Sequence, residues 1–457
     1  MSSATSVSNK PVLPAGPKLP PIAQVFAWAY RPTQFMERAN KKYGETFTIK
    51  FAGFPPEVLF TNPKHIKEIF TGSGDDLHAG KVNAILEPLV GAQSVLLLDG
   101  KRHLEQRRLL LPPFHGERMH SYCGQMRAAA DDMIATLPVG DTFALHTYTQ
   151  RFTLDVILKT VFGLTEGPVF VRLRELLAEV LDGAASPLLL SKKFQVDLGP
   201  LTSWGRLSRA HGEIDKILFQ LFDECRAEND NSRTDVLAML VSAKHEDGSF
   251  MTFEELRDEM MTILVAGHET TATALAWAVF QILKTPGVID SIHEELATVV
   301  GDEDVGVQHL SKLKYLDSVI KETLRLKPVI PIIGRILQKP MTIGGHDLPA
   351  GVAAVPCIYL THRREDIYPE PLSFKPERFM EKTPGPYEFF PFGGGIRRCI
   401  GAAFAMYEMK IFLARVLSQV ELELPEDYEG RITRRSITFA PEKGMLVRVK
   451  SKQALAA

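Results

Sequence analysis

One cysteine of the chain lies in a sequence context that favours metal binding. Cys399 follows three glycines, Gly393 to Gly395, and two arginines, and it precedes a stretch with helical periodicity. Glycine allows positive φ angles and a close approach of the backbone to a ligand. A thiolate at the start of a helix is stabilised by the positive end of the helix dipole, and such a sulfur is a soft ligand for transition metals. A buried structural cysteine and a catalytic nucleophile are the two alternatives.

A second candidate for chemistry lies in the middle of a long predicted helix. A capping box begins this helix at Thr252, and the helical pattern then runs without proline to Lys284. In its middle, Ala266 and Gly267 are small enough for a ligand to approach the backbone. A glycine within a helix costs about 1 kcal/mol relative to alanine, so its presence here calls for such a reason.

The next residues of this helix include an acid and an alcohol, Glu269 and Thr270. Thr270 can donate its hydroxyl to the carbonyl one turn back. A carboxylic acid and a hydroxyl that are linked by water can relay protons to a reacting group. A solvated glutamate beside a packed threonine is the alternative, because most helix carboxylates face water.

The cysteine loop carries a resemblance to a known family. The pattern Phe392-x-x-Gly395-x-Arg397-x-Cys399-x-Gly401 resembles the haem-binding signature of the cytochrome P-450 family, with each fixed position filled. The resemblance implies that Cys399 is the proximal ligand of the iron of haem b, with Phe392 beside it. It also implies that Arg397 pairs with a haem propionate. Thiolate ligation of haem in this family favours O–O cleavage.

The helix motif resembles the same family. The run from Ala266 to Thr271 is similar to the family's oxygen-activation motif, whose acid and threonine fall on Glu269 and Thr270. The resemblance implies that these two residues relay protons and that Ala266 and Gly267 lie beside the haem. Relatives that use peroxide typically lack the acid and the threonine, so the pair favours an enzyme that uses dioxygen.

Further haem contacts are implied at three positions. His103 and Arg107 are four residues apart and so share a helix face. In many relatives an aromatic residue and an arginine at this spacing contact the haem propionates, and His103 departs from the commoner tryptophan. Arg335 is similar to another propionate contact of the family, since planar guanidinium groups suit carboxylates. A solvated basic surface is the alternative interpretation of His103 and Arg107.

Three charged residues imply a structural network. Glu322 and Arg325 lie one helical turn apart, and Arg378 follows downstream. Together they resemble the Glu–Arg–Arg cluster of the family. We expect this buried cluster to hold the segment that leads to the haem loop, because breaking a buried ion pair costs about 3–5 kcal/mol.

Apolar residues in several segments are candidates for the substrate pocket. Pockets are generally apolar, but the residues before Gly91 could instead fold over the core. The resemblance implies that residues 181–190 cap the cavity as a lid. Fatty acids, terpenoids and steroids all fit, and Lys81 or Lys192 either anchors a carboxylate or is simply solvated. The predicted pocket residues are Val82, Ile85, Leu86, Leu188, Leu189, Ile330, Ile333 and Phe439.

The composition argues against some classes of function. The 457 residues are 45% hydrophobic and carry a net charge of −2, so no basic excess favours nucleic acid as a partner. The four cysteines form no CxxC pair, which is typical of a reducing compartment. The first residues carry no apolar run. The sequence also has no uninterrupted stretch of about 20 apolar residues, which a membrane-spanning helix would need. We therefore expect a cytoplasmic protein.

The segments that carry the candidate haem, proton-relay and pocket residues are predicted to be mainly helical. The resemblance implies the mainly α cytochrome P-450 fold with a smaller β-rich region, in which haem lies between the long central helix and the cysteine loop. We expect a disordered N-terminal tail over residues 1–16 and a single catalytic domain over residues 17–457. Strands are predicted at Thr46–Lys50 and Val58–Thr61, and a last β pair is predicted at Ile437–Ala440 and Met445–Val449.

The resemblance implies a haem-thiolate monooxygenase. Such an enzyme uses dioxygen and two externally supplied electrons to hydroxylate or epoxidise an apolar substrate. We expect a monomer that receives electrons from a ferredoxin or flavodoxin with its NAD(P)H-dependent reductase, steered by Arg108, Arg398 and Lys410. A peroxide-driven peroxygenase, a haem-thiolate isomerase and a non-catalytic haem sensor are the alternatives.

Overall fold

Helices make up most of the described chain, and its short strands form four small sheets. The structure, a computed structural model, describes residues 12–116, 118–184, 197, 199, 202–228 and 233–452. The helices are α1 Pro21–Tyr30, α2 Pro32–Tyr43, α3 Pro63–Thr71, α4 Gly80–Asn83, α5 Glu87–Val90, α6 Gly100–Leu110, α7 Arg118–Ser121, α8 Cys123–Thr136, α9 Leu145–Thr160, α10 Pro168–Ala184, α11 Ser203–Glu228, α12 Val236–Val241, α13 Phe253–Lys284, α14 Val288–Val299, α15 Val307–Leu310, α16 Lys314–Leu326, α17 Ile358–Thr361, α18 Arg378–Glu381 and α19 Ala402–Gln419. The strands are β1 Thr46–Ile49, β2 Glu57–Phe60, β3 Leu77–His78, β4 Thr142–Ala144, β5 Arg335–Leu337, β6 Met341–Ile343, β7 His346–Leu348, β8 Ala353–Pro356, β9 Val420–Glu423, β10 Ile432–Arg435, β11 Thr438–Pro441 and β12 Leu446–Lys452.

Helix α13 forms where the capping box and the absence of proline predicted a long helix. Thr252 Oγ1 accepts a hydrogen bond from Glu255 N at 3.2 Å, and Glu255 Oε2 accepts one from Thr252 N at 2.9 Å. The helix is about 48 Å long at 1.5 Å per residue. Its residues from Thr271 to Ile282 are buried, so the second half of this helix belongs to the core.

The sheet pairings correct one prediction. Strand β1 pairs with β2 in antiparallel orientation, and β2 pairs with β8 in parallel, within a sheet of order β1-β2-β8-β5-β3. The predicted pair of Ile437–Ala440 with Met445–Val449 is wrong. Strand β11 pairs instead with β10, whereas β12 pairs with β4 and β9. Apolar alternation indicates a strand and its faces, but it does not identify the partner strand.

Helices α9 and α13 are joined by threonine hydroxyls. Thr149 Oγ1 donates to Ala272 O at 3.0 Å, and Thr153 Oγ1 donates to His268 O at 3.2 Å. The main hydrophobic core surrounds this pair of helices and includes residues of α8, α16 and α19. This packing holds the middle of α13 in a defined position relative to α9.

The entry segment is ordered earlier in the chain than predicted. Thr48 Oγ1 donates to Pro14 O at 2.6 Å, and Thr48 N donates to Ala15 O at 3.2 Å. A Cβ atom on Gly16 would lie 1.8 Å from Thr48 O, so glycine is needed for this close approach. The predicted disorder over residues 1–16 is therefore wrong for residues 14–16, while residues 1–11 lie outside the described chain.

The observed fold is mainly α with a smaller β-rich region, as predicted. Within the described ranges, α13 is the one helix that is long and apolar enough to cross a membrane. The protein itself buries 67% of the most apolar window of this helix. Such burial is typical of a core helix in a globular protein.

Candidate functional site

Cys399 lies between a short 3-10 turn, Gly395–Arg397, and the start of α19. Its backbone N–H donates to Phe392 O at 2.9 Å, which closes the loop on itself. The other three cysteines are buried, whereas solvent reaches Cys399. Protein still surrounds most of the sulfur, and this desolvation raises the pKa of the Cys399 thiol. A backbone hydrogen bond from Gly401 and the charge of Arg107 oppose the rise, so both favour the thiolate.

The glycines of the cysteine loop are required by its packing on α3. Gly393 and Gly395 have φ angles of 69° and 64°. A Cβ atom on Gly394 would lie 2.3 Å from Phe70 Cδ2, and one on Gly395 would lie 2.1 Å from Phe70 O. The sequence interpretation attributed these glycines to a ligand that faces Cys399. For Gly394 and Gly395 the structure corrects this reason, because the close neighbour is Phe70.

Three of the predicted haem contacts are close to the fourth, His103, and Arg397 of this group also binds a carboxylate. Arg397 Nη2 donates to Asp99 Oδ1 at 2.5 Å. Burial and the charges of three neighbouring arginines lower the pKa of His103 to about 3, so this imidazole is neutral. The three arginines are Arg107, Arg335 and Arg397. The charge of Cys399 raises the pKa of Arg107 against the effect of burial, so this arginine is close to the thiol as well as to His103.

The charge balance of this cluster tests whether haem fits. Burial lowers the pKa of Arg335 and of Arg397 to about 10, and Asp99 is the carboxylate that opposes both shifts. His103 Nδ1 is buried without a hydrogen-bond partner among the described residues. Three arginines around a neutral histidine suit a ligand that brings carboxylates of its own, and planar guanidinium groups bind them in a defined geometry. The residues present therefore fit the propionates of haem.

The middle of α13 opens to solvent at Ala266. Thr270 Oγ1 donates to Ala266 O at 2.6 Å, which confirms the predicted hydrogen bond one turn back. Gly267 lies on a different side of the helix, because a Cβ atom there would be 3.4 Å from Ile157 Cδ1 on α9. A Cβ atom at that distance would make an ordinary van der Waals contact, so this packing does not require glycine, and the prediction that Gly267 lets a ligand approach the backbone stays a prediction.

The Glu269 carboxylate faces α9 and the hairpin of β10 and β11. Gln150 Nε2 donates to Glu269 Oε2 at 2.8 Å. His146 Nε2 and Arg435 Nε each lie 3.7 Å from Glu269 Oε1. The side chain of Glu269 is 22% exposed. The acid is thus held among polar groups while it keeps contact with solvent.

The protonation of His146 follows from its neighbours. Arg435 Nη1 lies 3.3 Å from His146 Nδ1, and a guanidinium can only donate, so Nδ1 is an acceptor. Burial lowers the pKa of His146 to about 3, and the charge of Arg435 adds to this. The neutral ring therefore carries its proton on Nε2, which lies 3.1 Å from Thr273 Oγ1. His146 is therefore a neutral hydrogen-bond donor at Nε2 and does not act as a charged acid.

Gln150, His146 and Arg435 are residues that the sequence analysis missed. His146 and Gln150 are four residues apart on α9, so their shared helix face was an available signal. Arg435 offered no comparable signal. Only the fold brings the hairpin of β10 and β11 against the middle of α13.

The predicted cluster of Glu322, Arg325 and Arg378 is present. Arg325 Nε and Nη2 donate to Glu322 Oε2 and Oε1 at 2.6 and 2.8 Å, and Arg378 Nε donates to Oε1 at 3.0 Å. The backbone N–H of Lys375 donates the fourth hydrogen bond to the Glu322 carboxylate, with Oε1 as the acceptor at 2.9 Å. The side chains of Glu322 and Arg325 are fully buried.

This cluster is connected to the cysteine loop through His362. Arg325 Nη1 donates to His362 O at 2.8 Å, and Phe390 N donates to His362 Nε2 at 3.0 Å. Burial lowers the pKa of His362 well below its ordinary value, so the ring is neutral and Nε2 can accept. The buried ion pair thereby holds the segment in which the cysteine loop begins.

The predicted pocket residues fall into three groups. Val82, Ile85, Ile330 and Ile333 are half-buried. Leu86 is buried in the main core, so its prediction as a pocket residue is corrected in favour of a segment that folds over the core. Leu188, Leu189 and Lys192 lie outside the described residues, as do residues 185–190 of the predicted lid.

Phe439 is not a pocket residue, and that prediction is wrong. It is 1% exposed, and its ring packs against Trp28 and Tyr359 in a separate core. Trp277 Nε1 donates to Phe439 O at 2.9 Å, which holds β11 against α13. Side chains alternate along a strand, and Ile437, in the turn before β11, is an exposed apolar residue there.

Two of the three cations predicted to steer a redox partner are engaged in ion pairs. Lys410 Nζ lies 2.7 Å from Asp317 Oδ1, and its side chain is only 14% exposed. Arg108 pairs with Glu246. Arg398 is exposed. The assignment of Lys410 to partner steering is therefore corrected, because its charge is already neutralised.

Comparisons with known proteins agree on one family. Residues 14–448 match the family model described as cytochrome P-450. A Mycobacterium tuberculosis protein named cytochrome P-450 135B1 is 36% identical over 454 residues, covering 97% of this chain and 93% of the relative. Cytochrome P-450 137 of the same species is 34% identical, covering 91% of this chain and 85% of the relative. The solved structure of retinoic acid-bound cyanobacterial CYP120A1 has a TM-score of 0.82 at 23% identity, covering 97% of this chain and 99% of that one.

The matched range contains both halves of the site, the cysteine loop and the middle of α13. The structural likeness shows the same fold over nearly the whole chain. Members of this family bind haem b through a cysteine thiolate and use it for monooxygenation. The chain belongs to the cytochrome P-450 family and is an iron-dependent haem-thiolate monooxygenase.

Proposed function

We propose that this enzyme hydroxylates or epoxidises an apolar substrate of the fatty-acid, terpenoid or steroid class. One atom of dioxygen enters the substrate, and the other leaves as water after two electrons and two protons are delivered. The observation that carries the proposal is the convergence of the predicted haem contacts Arg107, Arg335 and Arg397 on His103, with Arg107 also close to Cys399.

On the cysteine side, we assign Cys399 as the iron ligand. Arg107, Arg335 and Arg397 pair with the propionates, and neutral His103 contributes its unpaired ring nitrogen. Bound haem supplies the activation of dioxygen and the oxidation of the substrate. Arg107 keeps a positive charge near Cys399, so it favours the thiolate form of the ligand.

On the α13 side, we assign Glu269 and Thr270 to proton delivery. Thr270 Oγ1 uses its own proton for the hydrogen bond to Ala266 O, so its oxygen remains able to accept a hydrogen bond from water. Glu269 is partly exposed and can exchange a proton with solvent at its carboxylate. His146 stays neutral, and with Gln150 it holds the carboxylate beside the helix.

Electrons in this proposal come from a ferredoxin or flavodoxin with its NAD(P)H-dependent reductase. Arg398 is the exposed cation closest in sequence to Cys399 among those predicted to steer the partner. We place the enzyme in the cytoplasm as a monomer. One catalytic unit spans the chain from residue 17, and the ordered segment at residues 14–16 joins it.

The half-buried apolar residues Val82, Ile85, Ile330 and Ile333 support an apolar substrate. A protein of the same fold was solved with retinoic acid bound, so this architecture can hold a long isoprenoid molecule. This favours terpenoids for the first assays.

Two measurements test the proposal. Representatives of the three substrate classes are titrated into the purified enzyme, and the haem absorption spectrum reports binding. The ligands that bind are then turned over with NAD(P)H, ferredoxin and reductase under labelled dioxygen. We expect a product with one labelled oxygen atom. Turnover with peroxide alone, an isomer without added oxygen, or binding without turnover would instead indicate a peroxygenase, an isomerase or a sensor.

A further inference from the structure

Helix α1 exposes three large apolar side chains and buries its one polar side chain, while Trp28 packs inward on Phe439. Ile22, Phe26 and Tyr30 are 56, 57 and 79% exposed, whereas Gln24 is 1% exposed. Residues at spacings of four share one face of a helix, so the three apolar side chains form a continuous stripe, called the α1 stripe below. The helix contains no charged residue. The exposed face of α1 is therefore apolar, whereas the exposed face of an ordinary surface helix is polar.

The rotation of α1 is set by Gln24. Its Nε2 donates to Pro17 O at 3.2 Å and to Leu19 O at 2.8 Å, and its Oε1 accepts from Lys50 N at 3.0 Å. All the hydrogen-bonding groups of this side chain are directed into the protein. The helix cannot turn its apolar face inward without breaking these bonds, so the exposure of the α1 stripe is built into the fold.

Two further apolar side chains are exposed in segments next to α1 in sequence or in contact with it. Leu19, just before the helix, is 50% exposed, and Phe54 in the turn between β1 and β2 is 53% exposed. This turn adjoins the helix, because the ring of Phe51 lies 5.8 Å from that of Trp28. From Ile22 to Tyr30 the stripe is about 12 Å long.

Positive charge borders the α1 stripe. Lys18 precedes the helix, Arg31 follows it, and both are exposed. The sequence from Val12 to Met36 contains no aspartate or glutamate. An apolar, aromatic face between cations is suited to the interface of a membrane with anionic headgroups.

We propose that the α1 stripe rests on the surface of an anionic lipid bilayer, as a peripheral contact. Three side chains of this size cover roughly 500 Å², which is below the roughly 800 Å² per partner of a stable protein interface. A second copy of the chain would also bring Lys18 and Arg31 near their own counterparts. A bilayer meets neither difficulty, because it extends past the stripe and its headgroups are anionic.

Vesicle flotation of the full-length enzyme with bound haem tests this proposal. The vesicles consist of phosphatidylcholine alone or with one-third phosphatidylglycerol. The test variant combines Ile22→Ser, Phe26→Ser and Tyr30→Ser. The control variant combines Val139→Ser, Phe219→Ser and Leu372→Ser, whose side chains are 56, 52 and 73% exposed on other parts of the surface. The carbon monoxide spectrum of the reduced protein verifies that each variant is folded.

We expect the unchanged enzyme to float with the anionic vesicles, and added salt to weaken this binding. The test variant should lose at least tenfold of its partition coefficient, whereas the control variant should keep it. Equal partition of the test variant and the unchanged enzyme would overturn the proposal, as would no partition of the unchanged enzyme. The unchanged enzyme could instead self-associate without binding vesicles, and only the test variant could lose this self-association. That result would make the stripe an interface with a second copy of the chain and would also overturn the proposal.

Discussion

Glu322 and Glu269 are both at least partly buried and both face arginines, but they do so in different ways. Glu322 on α16 receives four hydrogen bonds, from Arg325, Arg378 and Lys375 N, and its side chain is fully buried. Glu269 on α13 accepts a hydrogen bond from Gln150 at 2.8 Å, Arg435 lies 3.7 Å away, and the Glu269 side chain is 22% exposed. Glu322 is closed off from water, whereas Glu269 is not.

The difference separates a structural carboxylate from one that can exchange protons. A fully paired buried carboxylate cannot be protonated without leaving its arginines uncompensated, so it holds segments together. A carboxylate that keeps contact with solvent can exchange protons with water, which a proton relay requires. A glutamate and an arginine therefore meet in both places, but Glu322 supports the segment before the cysteine loop, whereas Glu269 lies beside the solvent-exposed middle of α13.

The largest effect should come from Glu322→Gln. This change leaves Arg325 and Arg378 without their carboxylate, so we expect the free energy of unfolding to fall by about 3–5 kcal/mol. Denaturant unfolding of the haem-bound protein measures it. Glu269→Gln is the matched control and should lower the same free energy by less than about 1 kcal/mol. Equal losses of unfolding free energy in the two variants would contradict the structural role that distinguishes Glu322 from Glu269.

The next largest effect should come from Glu269→Gln on turnover. The amide cannot exchange a proton, so we expect product formation to fall by about 100-fold. The carbon monoxide spectrum should be unchanged, because Glu269 faces α9 and not the cysteine loop. Steady-state product formation with saturating reductant measures the change. A rate within twofold of the unchanged enzyme would remove Glu269 from proton delivery.

A smaller effect should come from Thr270→Ala. Loss of the hydroxyl removes a hydrogen-bonding group from the relay but leaves electron delivery intact. We expect NAD(P)H consumption to continue while product per NAD(P)H falls by about tenfold. Thr270→Ser keeps the hydroxyl and should restore most of the coupling. If both variants remain fully coupled, the relay does not pass through this residue.

The smallest effect should come from Arg435→Gln. The guanidinium is 36% exposed and 3.7 Å from Glu269, and such pairs contribute about 0.2–1 kcal/mol, so turnover should change by no more than about fivefold. Because the interaction is electrostatic, the difference from the unchanged enzyme should shrink at high salt. Turnover against ionic strength measures it, with Arg435→Lys as the control that keeps the charge. A loss as large as that of Glu269→Gln would show that Arg435 has a greater role than its position indicates.

Local sequence patterns predicted much of the fold. The capping box and the proline-free stretch predicted α13, because helix starts and stops depend on neighbouring residues. The i, i+3 spacing of Glu322 and Arg325 likewise predicted an ion pair that the structure contains. The partner of β11 could not be predicted, since strand pairing joins segments through the fold.

Local sequence motifs were enough to predict the chemistry of this protein: a cysteine at the start of a helix, an acid and an alcohol at adjacent positions, and the family that these motifs indicate. These depend on spacing along the chain, which the sequence states directly. Other features became visible only in the folded protein. Phe439 is buried in a core, Lys410 forms an ion pair with Asp317, and Gly394 and Gly395 make room for Phe70. His146 and Arg435 each lie 3.7 Å from the Glu269 carboxylate. Each of these is a contact between segments far apart in sequence, and only the packing of helices and hairpins determines which side chains meet.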